Sequence, residues 1–92
     1  MKYTAKLGGK YNIQPFELVP LKLDHGKETL PANVVYVDND TVYIYTDLEY
    51  EIGQPVSTGG YLISGKKYNM IELSITNYPV LKDAKIIEKE NI

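Results

Sequence analysis

Between Asn33 and Leu48 the chain alternates apolar residues with others on both sides of Asp38-Asn39-Asp40-Thr41, a run of turn formers. Alternation of period two around such a run specifies a β-hairpin, because successive strand side chains point to opposite faces and Asn and Asp tolerate a tight turn. A two-residue loop at Asn39-Asp40 sets Tyr36 opposite Tyr43 and Val34 opposite Tyr45 on one face. Val37 with Val42, and Val35 with Ile44, then share the other face. In that register the aliphatic face is core, and the other is a ladder of three tyrosines that either covers a second layer of the fold or lies open to a partner. A three-residue loop would set Tyr36 opposite Val42 and mix the two sets, so the segregation of side chains selects the first register.

Turn residues cut the remaining chain into pieces that suit a pleated, half-buried surface. Lys2 to Leu7 alternates with Tyr3, Ala5 and Leu7 on one side and ends at Gly8-Gly9. Tyr11 to Gln14 is a short, ambiguous run. Phe16 to Leu23 is interrupted by Pro20, which confines it to an edge strand or a bulge. Asp24 to Thr29 is a polar loop. Leu48 to Ile52 alternates apolar with acidic residues and reads as a strand with one solvated face, and Ser57-Thr58-Gly59-Gly60 reads as a flexible crossing. Ser64-Gly65-Lys66-Lys67 fits a type II′ turn with glycine first. It sets Ile63 opposite Tyr68 and Tyr61 opposite Met70, with a bulge near Asn69 or a strand serving two layers where Ile71, Leu73 and Ile75 change phase. Val80 to Ile92 fits helix and strand spacing equally well.

Ninety-two residues supply one core, and 43% hydrophobic with 24% charged residues is ordinary for a folded chain. The expectation is a single all-β domain over residues 1–92, or a β-rich α+β one: a small barrel or sandwich of five to seven short antiparallel strands with at most one short C-terminal helix. No apolar run approaches the ~20 residues of a membrane-spanning helix. The first thirty residues carry no secretory pattern, so no membrane association and a cytoplasmic location are expected.

Charge narrows the partners. The net charge is −2, and all ten basic residues are lysine, so no guanidinium is present to fork onto a guanine edge or a phosphate. Sequence-specific nucleic-acid binding is not expected. From Pro31 to Ser64 there is no lysine, yet Asp38, Asp40, Asp47, Glu49 and Glu51 fall there with Tyr36, Tyr43, Tyr45, Tyr50 and Tyr61. A central acidic, tyrosine-bearing block is flanked by basic ends.

Candidate chemistries fail on composition. Cysteine is absent and His25 is the only imidazole, in a glycine-flanked polar loop of the kind usually solvated, so thiol nucleophiles and thiolate or multi-histidine metal sites are excluded. Asp38-Asn39-Asp40 opens like a calcium loop, but Val42 and Tyr43 stand where an oxygen ligand and a glycine belong. Gly26-Lys27-Glu28-Thr29 and Gly59-Gly60 lack the spacing of phosphate-binding loops. Asp47, Glu49 and Glu51 fit a solvated strand face better than a carboxylate pair. No enzyme activity, metal or cofactor is expected.

The stretch from Tyr61 to Leu73 resembles the hairpin of many small barrels, some phage assembly modules among them, but covers about a seventh of the chain and implies no family. The reading that remains is contact. Tyrosine offers wide, rigid contact area with a hydroxyl, and carboxylates steer basic partners. The expected function is a non-enzymatic protein-binding or assembly module whose central hairpin, through Tyr36, Tyr43, Tyr45, Asp38, Asp40 and Asp47, meets a basic protein or another subunit in a homo-oligomer. A narrower form is a phage-type accessory protein that inhibits a nucleic-acid enzyme. The alternative is a barrel that binds an anionic, nucleotide-like ligand through Gly59, Gly60, Lys66 and Lys67.

Overall fold

A computed structural model describes residues 1–15 and 17–92. Eight strands form among them: β1 (Lys2–Lys6), β2 (Asn12–Pro15), β3 (Leu21–Leu23), β4 (Ala32–Asp38), β5 (Thr41–Thr46), β6 (Val56–Ser64), β7 (Lys67–Ile75) and β8 (Lys85–Glu90). No described residue is helical, so no helix long and apolar enough to cross a membrane is present among them. One sheet has the order β4-β5-β1-β8. In the other, β7 is central, with β6 on one side and β2 and β3 on the other. The two sheets do not close into a barrel, and buried residues of both belong to one core cluster.

The strands are more numerous than the expected five to seven, and not all are antiparallel. β2 and β3 both run parallel to β7, along its N-terminal and C-terminal halves respectively. They are two parts of one passage along a single edge, separated between Pro15 and Leu21. Pro15 and Pro20 explain the interruption, since proline cannot donate to a ladder and survives only at edges. The Leu73 amide instead donates to the Pro20 carbonyl at 3.0 Å. Within the predicted run from Phe16 to Leu23, Phe16 lies outside the described residues, and Leu18 is almost fully exposed.

The tail resolves as a strand. β8 pairs antiparallel with β1, with a bulge between Thr4 and Ala5 that leaves Ile86 opposite Ala5 and buried. The core lies between the sheets. Tyr3, Ala5, Leu7, Val42, Ile44 and Ile86 come from one side, and Ile13, Leu21, Val56, Met70, Leu73 and Ile75 from the other. Each buried Leu or Ile contributes about 1.5–3 kcal/mol relative to exposure.

Leu48 to Ile52 is irregular rather than strand, and Tyr3 supplies the reason. Its hydroxyl donates to the Leu48 carbonyl at 2.7 Å and accepts the Tyr50 amide at 3.0 Å, taking the place of a strand partner for that backbone. The Tyr50 ring packs edge-on against Tyr3 at 5.6 Å. Ser57 to Gly60, expected as a flexible crossing, lies within β6.

Candidate protein-contact surface

The central hairpin has the predicted turn but not the predicted register. Asn39-Asp40 forms the two-residue loop, and Asp38 pairs with Thr41. Val37 is then an extra residue, so Tyr36 stands opposite Val42, Val35 opposite Tyr43, and Asn33 opposite Tyr45. A slip of one residue turns a strand over. β5 keeps the orientation expected of it, with Val42 and Ile44 inside and Tyr43 and Tyr45 outside. β4 is reversed: Val34 and Tyr36 share the face of Val42 and Ile44, whereas Val35 and Val37 are outside, 44% and 42% exposed. The purely aliphatic core face and the three-tyrosine ladder are therefore both corrected.

Two sets of bonds account for the bulge. At the tip, the Asp38 carboxylate accepts the Asp40 amide at 2.9 Å, and the Asp40 carbonyl accepts the Leu7 amide at 2.8 Å, which anchors the loop to the end of β1. Further down, an inward Tyr36 donates its hydroxyl to the Ile13 carbonyl at 2.9 Å and ties β4 to the second sheet. An extra residue between them lets both be satisfied. Burial, with the Asp38 charge adding to it, pushes the Tyr36 hydroxyl above its ordinary value of 10.0. Hydrogen bonding from the Asp40 amide holds the Asp38 carboxyl below its ordinary 3.8.

The outer face of the first sheet carries Val35, Val37, Tyr43 and Tyr45 beside Lys2, Thr4 and Glu90. Tyr43 and Tyr45 are half-buried by their neighbours, in edge contact at 6.5 Å, and the Lys2 ammonium stands 4.0 Å from the Tyr43 ring centre. Lys2 also pairs with Glu90 at 3.7 Å. Beside Tyr43 lies a depression of about 290 Å³ lined by Thr4, Ile52, Ile87 and Glu88 among others. Among the described residues, no strand of the second sheet covers this face.

The acidic residues do not surround the tyrosines. Asp38 and Asp40 sit at the turn, Asp47 just beyond the other end of β5, about 20 Å away at strand rise. Asp40 is 3.9 Å from Lys6, and Glu49 pairs with Lys89 at 2.8 Å. Folding lays the basic ends of the chain, in β1 and β8, against the lysine-free block, so the segregation seen along the sequence becomes alternation in space. Exposed pairs of this kind contribute little to stability.

The residues of the alternative site are spread along β6 and the following turn. Gly59 lies beneath the Glu72 side chain, and a Cβ there would come 2.4 Å from its Cγ; a carboxylate in that place disfavours an anion. Gly60 backs onto the Asn69 carbonyl. Lys66 and Lys67 are exposed at the hairpin tip, where Gly65 takes the positive φ that the expected turn requires. The β6–β7 register also departs from expectation. Tyr61 pairs with Asn69 and Leu62 with Tyr68, because Ile63 and Ile71 are extra residues, rather than a single bulge at Asn69.

His25 is less free than a solvated loop histidine. Its Nδ1 lies against Glu72 Oε1, and its amide donates to Ser74 Oγ at 2.9 Å. Asp24 and His25 both have positive φ, 49° and 55°, in the left-handed region where aspartate and histidine are enriched among non-glycine residues.

The sequence reading missed Lys2, Val35 and Val37 as members of the outer face. Lys2 could have been found from the alternation of β1, which puts it opposite Tyr3 in facing. The valines had no local signal, because their orientation is set by the bulge. No protein-family model matches this chain, and no curated protein or solved structure shows significant similarity to it.

Proposed function

We propose that the protein is a non-enzymatic protein-binding module that works through the outer face of the β4-β5-β1-β8 sheet. Tyr43 and Tyr45 are the anchors, flanked by Val35 and Val37, with Lys2 and Glu90 as a charged border. The observation that carries this reading is the pair of exposed valines beside two tyrosines on a sheet face that no second layer covers. Two-sided strands normally present polar residues to water, and apolar and aromatic clusters in such places mark contact sites. Tyrosine adds contact area with few rotatable bonds. The mixed charge of the border fits a partner with both basic and acidic groups around an apolar centre, in place of the purely basic partner expected from the acidic block.

Replacing Tyr43 and Tyr45 together by threonine, which preserves strand propensity, tests it. Proteins captured from the source cell by the native chain should be lost by about tenfold or more with the double variant, as for removal of interface anchors. They should be retained by Lys66→Ser at the far hairpin. Equal capture by native and double-variant chains would refute the proposal.

A further inference from the structure

β6 and β7, nine residues each, are the longest strands of the fold, and the end that carries their shared turn differs from the rest of the second sheet. Tyr61 stands opposite Asn69 on the outer face of the ribbon, where its hydroxyl accepts the Asn69 amide group at 3.2 Å. Leu62 stands opposite Tyr68 on the other face, the one that is core further down at Val56. Ile63 is the extra residue beside the turn. The three are 49%, 51% and 58% exposed, so both faces of the ribbon end are apolar and open.

Three lysines gather at this end from two distant stretches of chain. Lys66 and Lys67 lie at the turn. Parallel pairing of β2 with β7, continued by the Asn12 amide on the Lys66 carbonyl at 2.8 Å, brings Lys10 and Tyr11 beside them. The Tyr11 ring stacks on Tyr68 at 5.7 Å, with the Lys10 ammonium 5.5 Å from its centre. All three lysines are exposed, and none makes an ion pair among the described residues. From Val56 to Ile71 there is no carboxylate, and Glu72 is held against His25. The nearest other acids lie beyond Asn12, which bonds Asn39, and both are occupied: Asp38 by the Asp40 amide and Asp40 by Lys6.

We propose that this hairpin tip seats shallowly in an anionic lipid surface, with Leu62 and Ile63 among the acyl chains, Tyr61 at the headgroup level, and Lys10, Lys66 and Lys67 on the phosphates. The unpaired lysines select an anionic partner. The placing of the apolar residues selects a fluid one. Tyr61, Leu62 and Ile63 are consecutive and leave the ribbon on both faces. A rigid protein surface meets one face of such a ribbon, whereas an acyl layer closes around both. Tyrosine suits the boundary, where its ring is apolar and its hydroxyl wet. Two aliphatic side chains and three lysines make a reversible, salt-sensitive attachment rather than a permanent anchor. No spanning segment is involved, so the shortness of the apolar runs in the sequence does not oppose it.

The tip belongs to the second sheet and stands independently of the Tyr43 and Tyr45 face. Co-sedimentation with vesicles is the test, comparing phosphatidylcholine alone with equal parts of phosphatidylcholine and phosphatidylserine, and with melting curves confirming the fold of each variant. The full chain should bind the mixed vesicles about tenfold or more tightly than the neutral ones, less so as salt rises. Leu62→Ser/Ile63→Ser should weaken that binding by about tenfold or more, and Lys66→Gln/Lys67→Gln should weaken it and flatten its salt dependence. Tyr43→Thr/Tyr45→Thr should leave it unchanged. Leu62→Trp, in a protein with no other tryptophan, should shift its emission to shorter wavelength on mixed vesicles and be quenched by brominated acyl chains. Absence of vesicle binding, binding indifferent to Leu62→Ser/Ile63→Ser, an unmoved tryptophan emission, or equal affinity for soluble polyglutamate, which would assign the tip to an acidic protein, would overturn the proposal.

Discussion

The two hairpins of this protein share a plan and differ in what holds it. Each turns on two residues, at Asn39-Asp40 and at Gly65-Lys66; the first carries one extra residue, Val37, that moves its register by one, and the second carries two, Ile63 and Ile71, whose shifts cancel between Gly59 and the turn. In the β4–β5 hairpin the slip is held by bonds to other strands, from Asp40 to β1 and from Tyr36 to β2. In the β6–β7 hairpin it is held by the absence of side chains, since Gly59 and Gly60 admit Glu72 and the Asn69 carbonyl into spaces a Cβ would fill. A bulge anchored from outside can tolerate change in its own residues. One made by close backbone approach cannot.

The largest expected effect separates the two directly. A Cβ on Gly60 would lie 1.8 Å from the Asn69 carbonyl oxygen, backbone that cannot swing aside. Gly60→Ala should lower stability by more than about 3 kcal/mol, and Val37→Ala, at the exposed bulge of the first hairpin, by less than about 1 kcal/mol. Denaturant titration of the two variants measures both. Similar losses would mean that the hairpins are held alike.

A smaller effect sharpens the account of the first hairpin. Burial raises the hydroxyl pKa of Tyr36, and burial with help from Tyr3 raises that of Tyr50. Their neutral forms are therefore favoured by folding. Their contribution is fully present below the unfolded value near 10 and is lost as pH rises through the higher folded values. Denaturant midpoints should fall on going from about pH 9 to about pH 11, and less steeply in Tyr36→Phe. An unchanged slope in that variant would place Tyr36 in water.

Much of the fold was legible because it rests on local chemistry. Tyr3, Ala5 and Leu7 alternate into the core, the prolines confine Asn12–Pro15 and Leu21–Leu23 to an edge, and both turns carry the residues their geometry demands. What escaped the sequence depends on distant partners. The orientation of β4 is decided at Ile13 and Leu7, far along the chain from Val37, and side-chain segregation alone favoured the opposite face. Leu48 to Ile52 alternates like a strand but yields to the Tyr3 hydroxyl. The candidate surface was half readable for the same reason: Tyr43 and Tyr45 lie where β5 alternation puts them, while Tyr36 turns inward. The acidic block loses its separateness because Lys2, Lys6 and Lys89 arrive from β1 and β8.

The outer face exists only if the bulge at Val37 sets the facing of β4, and one pair of substitutions tests that most directly. Val34 is half-buried and packed against the core, whereas Val35 is 44% exposed. Val34→Asp should cost about 2–4 kcal/mol in a denaturant titration and Val35→Asp less than about 1 kcal/mol, since only the first takes a carboxylate out of water. The reverse order, with Val35 the sensitive position, would restore the unbulged register and contradict the surface proposed for this protein.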